Sequence, residues 1–233
     1  MSVDIQPVVA LVHGCTQGPT GWARVQALLE DRGVRSVAID LDPQQLEEAS
    51  ALECAEEISR QLEPFDRVVL VGTSCSGILI PVVTMVRPIE HLVFFCAGLP
   101  EVGRSTTAQV IEDGVLCHEW MNWPGAYDDP EAARRFMFHD CPAEDLAWSL
   151  STVRLWIPQL AYDEITPLRS WPSIPCTYVV GTQDRIINAD WVRSTVPARL
   201  GVEPVEIETG HCPQNSRPDL VSALLSEVAV PER

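Results

Sequence analysis

Short apolar runs recur along the chain, separated by segments in which apolar residues return every three or four positions. The apolar runs lie at residues 8–12, 36–39, 68–71, 91–95, 176–180 and 205–207. The helical periodicity fills residues 22–31, 50–62, 78–86, 189–196 and 218–228. Runs that are apolar at every position are typical of parallel strands buried on both faces by helices. We therefore predict an α/β fold with a mostly parallel central sheet of about six strands flanked by helices.

The alternation of strands and helices is interrupted in the middle of the chain. Residues 99–170 lack the strand pattern and contain Pro130 and Pro142 at positions typical of the first turn of a helix. We interpret this segment as a helical cap inserted into a single α/β domain, which is formed by residues 1–98 and 171–233.

Pro81 conflicts with the helix that periodicity predicts at residues 78–86. A proline inside a helix removes one backbone donor and clashes with the preceding turn. We expect this helix to be kinked.

Length and composition fit one folded domain and exclude several classes of function. The chain has 233 residues, 46% of them hydrophobic, which is enough for one sizeable core. Its formal net charge is −17, and all 16 basic residues are arginine. The absence of lysine excludes Schiff-base chemistry, pyridoxal-phosphate attachment and a Walker-type phosphate site. The acidic balance argues against a nucleic-acid partner, since nucleic-acid binding needs clustered basic residues.

Hydropathy and cysteine spacing indicate the compartment. No apolar run reaches the roughly 18 residues that a membrane span needs, and no secretory signal pattern is visible. We therefore expect a cytoplasmic protein with no membrane partner. The cysteines are Cys15, Cys54, Cys75, Cys96, Cys117, Cys141, Cys176 and Cys212. They form no CxxC pair and show no tight metal-ligand spacing, so we expect free thiols and no metal site, with a structural disulfide as the alternative.

The junction between the third apolar run and the next helix carries the most specific chemical signal. Residues 72–77 read Gly-Thr-Ser-Cys-Ser-Gly, directly after a strand and before a helix. This is the pattern of a nucleophile elbow, in which a serine occupies the apex of a strained turn. Ser74 is that serine, and the positions two residues away, Gly72 and Ser76, are small as the crowded turn requires.

A serine hydroxyl needs a base to take its proton and an acid to orient that base. Asp184 follows the run at 176–180, and His211 follows the run at 205–207. Parallel strands present their carboxyl ends at one edge of the sheet, where α/β active sites form. We predict Ser74, Asp184 and His211 as nucleophile, acid and base.

The loop after the first strand supplies the remaining part of such a site. An oxyanion hole uses the backbone N–H of the residue after the nucleophile, here Cys75, and one from this loop. The loop begins with His13-Gly14. We predict the N–H of Cys15 as the second donor, with Thr16 as the alternative.

Simpler interpretations of these residues remain open. Ser74 is also a suitable helix N-cap, and Cys75 is a rival nucleophile because thiolates are strong nucleophiles. Glu101 or Asp190 could replace Asp184 as the acid.

Together these motifs resemble an α/β-hydrolase over nearly the whole chain. The chain is most similar to the branch that contains plant hydroxynitrile lyases and small-molecule methylesterases, and its Ser-Cys pair at 74–75 is similar to the lyase elbow. The lyases carry a threonine where this chain has Gly14 and a lysine where it has Cys212. The resemblance therefore implies a hydrolase rather than a cyanogenic lyase.

The tryptophan-rich cap suggests the walls of a pocket, since ligand pockets are mostly apolar and aromatic. The predicted wall residues are Thr16, Trp120, Trp123, Trp148, Trp156 and Cys212. The sequence thus predicts a serine hydrolase, without metal or cofactor, for a small, neutral, fairly apolar carboxylic ester, thioester or lactone. The alternatives are a non-hydrolytic enzyme on the same residues, such as a lyase, a cyclase or a cofactor-free oxygenation enzyme, and a ligand-binding protein with little turnover.

Overall fold

The computed structural model describes residues 6–46, 48–127 and 129–230, and within these ranges six strands form one parallel sheet. The strands are β1 (Val8–Val12), β2 (Ser36–Ile39), β3 (Val68–Thr73), β4 (His91–Phe95), β5 (Cys176–Gly181) and β6 (Val205–Ile207). Their spatial order is β2-β1-β3-β4-β5-β6, and each neighbouring pair is parallel. The predicted fold class is confirmed.

The central strands β1 and β3 are buried on both faces, as their uninterrupted apolar sequences require. In β1, Val8 and Ala10 belong to the core cluster on one face, while Val9 and Leu11 belong to the cluster on the other. Full burial of a valine or leucine side chain contributes roughly 1.5–3 kcal/mol. The centre of the sheet is therefore a rigid base for the loops at its carboxyl edge.

Helices flank the sheet and fill the segment between β4 and β5. They are α1 (Ala23–Asp31), α2 (Ala51–Gln61), α3 (Ile80–Val83), α4 (Thr106–Glu112), α5 (His118–Met121), α6 (Pro130–Ala132), α7 (Ala143–Ser151), α8 (Gln159–Asp163), α9 (Ala189–Leu200), α10 (Pro213–Ser216) and α11 (Pro218–Ala229). Helices α4 to α8 lie within residues 99–170, hereafter the cap. Among the described residues, no helix has the length and apolar character needed to cross a membrane.

The helix after β3 differs from the prediction for residues 78–86. A 3-10 helix over Ser74–Ile78 follows the strand directly, and only the short helix α3 (Ile80–Val83) comes after it. Pro81 lies in the first turn of α3, where a backbone N–H has no helical partner to lose. The proline therefore accompanies a new helix start instead of kinking a longer helix.

Helix α9 also departs from the prediction, because it continues through Pro197 to Leu200 instead of ending at residue 196. It ends at Gly201, whose φ of +68° is the left-handed conformation that glycine adopts at helix ends.

Candidate active site

A strained turn places Ser74 at the carboxyl end of β3. Its φ is +53°, a value that non-glycine residues adopt infrequently and that costs about 1–3 kcal/mol. The Ser76 hydroxyl accepts a hydrogen bond from the Thr73 N–H and donates one to the Thr73 carbonyl oxygen, both at 2.8 Å. A Cβ added at Gly77 would lie 2.2 Å from the Gly98 carbonyl oxygen. The turn is thus held by Ser76 and requires glycine at position 77.

His211 and Asp184 form a buried hydrogen-bonded pair. The Nδ1 atom of His211 lies 3.0 Å from Oδ2 and 3.1 Å from Oδ1 of Asp184. The exposed fraction is 2% for the His211 side chain and 0% for that of Asp184. Asp184 also accepts the N–H groups of Ile186 and Ile187, at 2.7 and 3.1 Å. With its Nδ1–H donated to the carboxylate, His211 keeps Nε2 available as a base.

The loops that carry this pair run side by side beyond the sheet. The N–H of Thr182 donates to the carbonyl oxygen of Ile207 at 2.9 Å, and the N–H of Gln183 donates to that of Thr209 at 3.0 Å. These bonds continue the pairing of β5 with β6 past the ends of both strands. The two loops therefore bring an acid and a base together that are separated by 27 positions in the sequence.

The loop after β1 lies directly against Ser74. A Cβ added at Gly14 would lie 2.9 Å from the Ser74 Cβ, which leaves no room for a larger residue. Cys15 and Thr16 line the same cavity as Ser74 and Cys75. The structure therefore brings together the segments from which the oxyanion donors were predicted.

The thiols beside Ser74 are buried. Burial raises the pKa of the Cys75 thiol well above its usual range. Because the thiolate is the reactive form, a thiol with a raised pKa is a poor nucleophile. This favours Ser74 over Cys75. All eight cysteines of the chain are free thiols in the structure.

Ser74 and His211 line one small cavity of about 40 Å³, with the core on one side and the cap on the other. The complete lining is Cys15, Thr16, Ser74, Cys75, Ile78, Gly98, Thr106, Val110, Val115, Leu116, Trp120, Tyr127, Tyr162, Ile186, Ile187 and His211. No arginine, aspartate or glutamate occurs among these described lining residues. Burying a charged group in such surroundings is costly, so the cavity suits a neutral, apolar ligand.

Two tyrosines that were not predicted from the sequence, Tyr127 and Tyr162, also belong to this lining. Burial raises the pKa of Tyr127 to about 12 and that of Tyr162 well above its usual range, so both hydroxyls stay neutral. The ring of Tyr127 packs edge-on against Trp120 at 5.3 Å between centroids. The sequence offers only a weak signal for these two residues, which is that two of the three tyrosines of the chain fall in the cap.

The predicted wall residues divide into two groups. The cavity lining contains Thr16 and Trp120, and it does not contain Trp123, Trp148, Trp156 or Cys212. The Arg24 guanidinium lies 4.1 Å from the ring centroid of Trp148, which directs this ring toward α1. Trp156 is 3% exposed and donates from Nε1 to the Leu46 carbonyl oxygen at 3.2 Å. Both rings connect the cap to the core.

Trp123 and Cys212 pack in an apolar cluster formed mainly by cap residues instead of facing the cavity. Trp123 donates from Nε1 to the Asp129 carboxylate at 2.8 Å and packs edge-on against Phe136. Cys212 is buried in the same apolar cluster as Phe136. The expectation that the pocket is lined by Trp123, Trp148, Trp156 and Cys212 is therefore corrected. The first and last of these fill an apolar cluster of the cap, and the other two connect the cap to the core.

The two carboxylates considered as alternatives to Asp184, those of Glu101 and Asp190, have other partners. Glu101 forms an ion pair with Arg199 at 2.9 Å. The Asp190 side chain is 90% exposed, and it pairs with a surface arginine. In the described structure the carboxylate bonded to His211 is that of Asp184. The described residues also contain no cluster of three or more His, Cys, Asp or Glu that could hold a metal ion.

Comparisons with known proteins agree with this fold. The sequence profile of the alpha/beta hydrolase family matches residues 9–224. The chain is 26% identical to methylesterase 2 of Arabidopsis thaliana over an alignment of 250 positions that covers 94% of each protein. It is 25% identical to the alpha-hydroxynitrile lyase of Arabidopsis thaliana, over 94% of this chain and 95% of that protein. The crystal structure of polyneuridine aldehyde esterase superposes with a TM-score of 0.78 at 21% identity, over 97% of this chain and all of the other. Because the profile match spans most of the chain, the protein belongs to the alpha/beta hydrolase family.

Proposed function

We propose that the protein is a carboxylic ester hydrolase that cleaves a small, neutral, fairly apolar ester, thioester or lactone through an acyl-enzyme. One observation carries the proposal. Ser74, in a strained turn, lines the same small cavity as His211, and His211 is bonded to the buried Asp184. Similarity to methylesterase 2 supports an esterase role at the level of the family.

The proposed reaction begins with proton transfer from the Ser74 hydroxyl to Nε2 of His211, while the Ser74 oxygen attacks the ester carbonyl. Asp184 holds the imidazole in the required tautomer and stabilises its positive form. The N–H groups of Cys75 and Cys15 bind the oxyanion, and a donor of this type typically contributes about 3 kcal/mol to the transition state. His211 then protonates the leaving alcohol and activates a water molecule that releases the acid.

The loop against Ser74 favours hydrolysis over cyanohydrin cleavage. The lyase branch carries a threonine at the position of Gly14, whereas a Cβ at Gly14 would lie 2.9 Å from the Ser74 Cβ. The residue after His211 is Cys212, where the lyases have a lysine. Neither group that distinguishes the lyases is present in this chain.

Substitution of the nucleophile tests the proposal. We expect Ser74→Ala to lower the hydrolysis of p-nitrophenyl acetate by at least about a thousandfold, because the nucleophile and its base act as a unit. A fluorophosphonate should add once to the wild type and not to the variant, as measured by intact-protein mass spectrometry. Near-normal turnover by a folded Ser74→Ala variant would show that the assignment is wrong.

A product assay separates the reaction types. Methyl esters and cyanohydrins offered to the wild type should give carboxylic acids from the esters and no cyanide from the cyanohydrins. Cyanide release would support the lyase alternative. Ligand binding with neither product, together with no labelling of Ser74, would support a binding protein.

A further inference from the structure

We propose that His139 and Asp140, two consecutive residues of the cap, are positioning residues. They fix the loop after β5, which carries Asp184, and the loop after β6, which carries His211, relative to each other. The inference rests on the proposed hydrolase function and deepens it. Neither side chain lines the cavity, and neither takes part in the proton transfers proposed above.

The two side chains bond to the residues that immediately precede the acid and the base. The Nε2–H of His139 donates to the carbonyl oxygen of Gln183, at 3.0 Å. The Asp140 carboxylate accepts the N–H of Gly210, at 2.6 Å. Gln183 comes directly before Asp184, and Gly210 comes directly before His211. One dipeptide of the cap thus fixes the backbone on which both groups of the pair are carried.

The loop has little freedom to move away from these contacts. A Cβ added at Gly210 would lie 2.6 Å from Oδ1 of Asp140 and 2.9 Å from Nε2 of His139. From the other side, a Cβ added at Gly181 would lie 2.6 Å from the Gly210 carbonyl oxygen. The backbone before His211 is therefore held between the end of β5 and the cap dipeptide.

The Asp140 carboxylate accepts the Gly210 N–H at a cost in folding free energy. Its Oδ1 atom is buried and has no hydrogen-bond partner among the described residues. A buried polar atom without a partner destabilises the folded state. Gly210 is itself buried, so its N–H needs an acceptor from the protein, and this cap carboxylate supplies one and fixes the position of the Gly210 backbone.

Fixed geometry at this point matters for catalysis. His211 must reach Ser74 on one side and Asp184 on the other, and these residues lie on three separate loops of the sheet edge. A misplacement of about 1 Å in a catalytic group can lower a rate by about a hundredfold. Loss of a clamping bond should therefore lower kcat more than it raises KM, because the cavity walls that bind the ester are unchanged.

Two pairs of variants test the inference. We expect Asp140→Ala and His139→Ala each to lower kcat on p-nitrophenyl acetate by about tenfold or more, with KM changed less than about twofold. Asp140→Asn should recover most of kcat, since an amide oxygen can still accept the Gly210 N–H. His139→Gln should do so as well, since its amide can still donate to Gln183.

A matched control removes a different tie between the cap and the core. Asp145 pairs with Arg24 at 2.7 Å and is not hydrogen-bonded to either loop. Asp145→Ala should leave kcat within about twofold of the wild type. Thermal unfolding of every variant shows whether a change in kcat accompanies a general loss of stability.

The outcomes are distinct. If Ser74→Ala is inactive while Asp140→Ala and His139→Ala have wild-type kcat, the positioning role is wrong and the hydrolase proposal stands. If Ser74→Ala remains active, the hydrolase proposal fails. Equal losses in the alanine and the conservative variants would also overturn the positioning role, because the hydrogen bonds would then not be the cause. Should Asp140→Ala not fold, the His139 pair decides.

Discussion

His13 is a buried histidine that the proposed reaction does not use. It is 1% exposed, its Nδ1–H donates to the Gly14 carbonyl oxygen at 2.8 Å, and its Nε2 accepts the Leu41 N–H at 3.1 Å. Burial, helped by the nearby Arg154 charge, lowers its pKa from 6.5 to about 4, although the hydrogen bond to the Gly14 carbonyl and the Asp40 charge act in the opposite direction. A neutral imidazole therefore joins the loop beside Ser74 to the segment after β2.

This shift predicts a loss of stability in weak acid. Below about pH 6.5 the unfolded chain binds a proton at His13 that the folded protein does not bind until about pH 4. The free energy of unfolding should therefore fall over this range, by roughly 3 kcal/mol from this residue. Urea unfolding of the wild type and of His13→Gln, at about pH 7 and at about pH 4.5, measures this fall in the free energy of unfolding. An equal fall in both proteins would contradict the assignment to His13.

The buried amide of Gln17 joins three elements that are far apart in the sequence. Its Nε2 donates to the Thr152 hydroxyl and to the Asn215 side-chain oxygen, both at 2.9 Å. Its Oε1 accepts the Gln214 amide at 2.6 Å. The loop after β1, the cap and helix α10 thus meet in one polar network, and α10 begins two residues after His211.

Removal of this amide should destabilise the protein. Gln17→Ala leaves buried partners on the cap and on α10 without hydrogen bonds, and each such group costs about 1–3 kcal/mol. We expect the free energy of unfolding to fall by about 2–4 kcal/mol. Gln45 is the control, since its amide bonds to a carboxylate at an exposed site, and Gln45→Ala should change stability by less than about 0.5 kcal/mol. Similar stability in both variants would show that the network contributes little.

The elements differ in how far their sequence could predict them. Strands β1, β2, β4 and β6 have the predicted bounds, because a short, mostly apolar run between polar segments is a local signal. The prediction of one kinked helix over residues 78–86 was wrong, since Pro81 fits the first turn of a new helix as well as it fits a kink.

The site shows a similar division. The sequence placed Asp184 and His211 directly after strands, and the structure brings the two together. The contacts of His139 and Asp140 with those loops could not be predicted, because they join residues 44 and 70 positions apart and leave no periodic pattern. The orientation of a cap side chain such as Trp148 could not be predicted either, since the sequence of a short helix does not determine which of its sides faces the cavity.

The whole molecule combines a strongly negative surface with an uncharged cavity. Arginine pairs with some carboxylates, as where Arg104 bonds to Glu101 and Asp113, yet the formal net charge remains −17. Such a field lowers the local concentration of anions near the protein. The cavity lining contains no arginine that could compensate for a bound negative charge. Both effects should disfavour anionic substrates, and they respond differently to salt.

A pair of esters of equal length, one neutral and one bearing a carboxylate, separates the two effects. We expect kcat/KM to be at least about tenfold higher for the neutral ester at low salt, because the surface repels the anion and the cavity desolvates it. Raising the ionic strength from about 0.01 M to about 1 M shortens the screening length from about 30 Å to about 3 Å, which removes the surface contribution only. The preference should therefore shrink severalfold without disappearing, while kcat/KM of the neutral ester changes less than about twofold. A preference unaffected by salt would assign all of the discrimination to the cavity, and a preference for the anion would contradict the neutral lining as the basis of specificity.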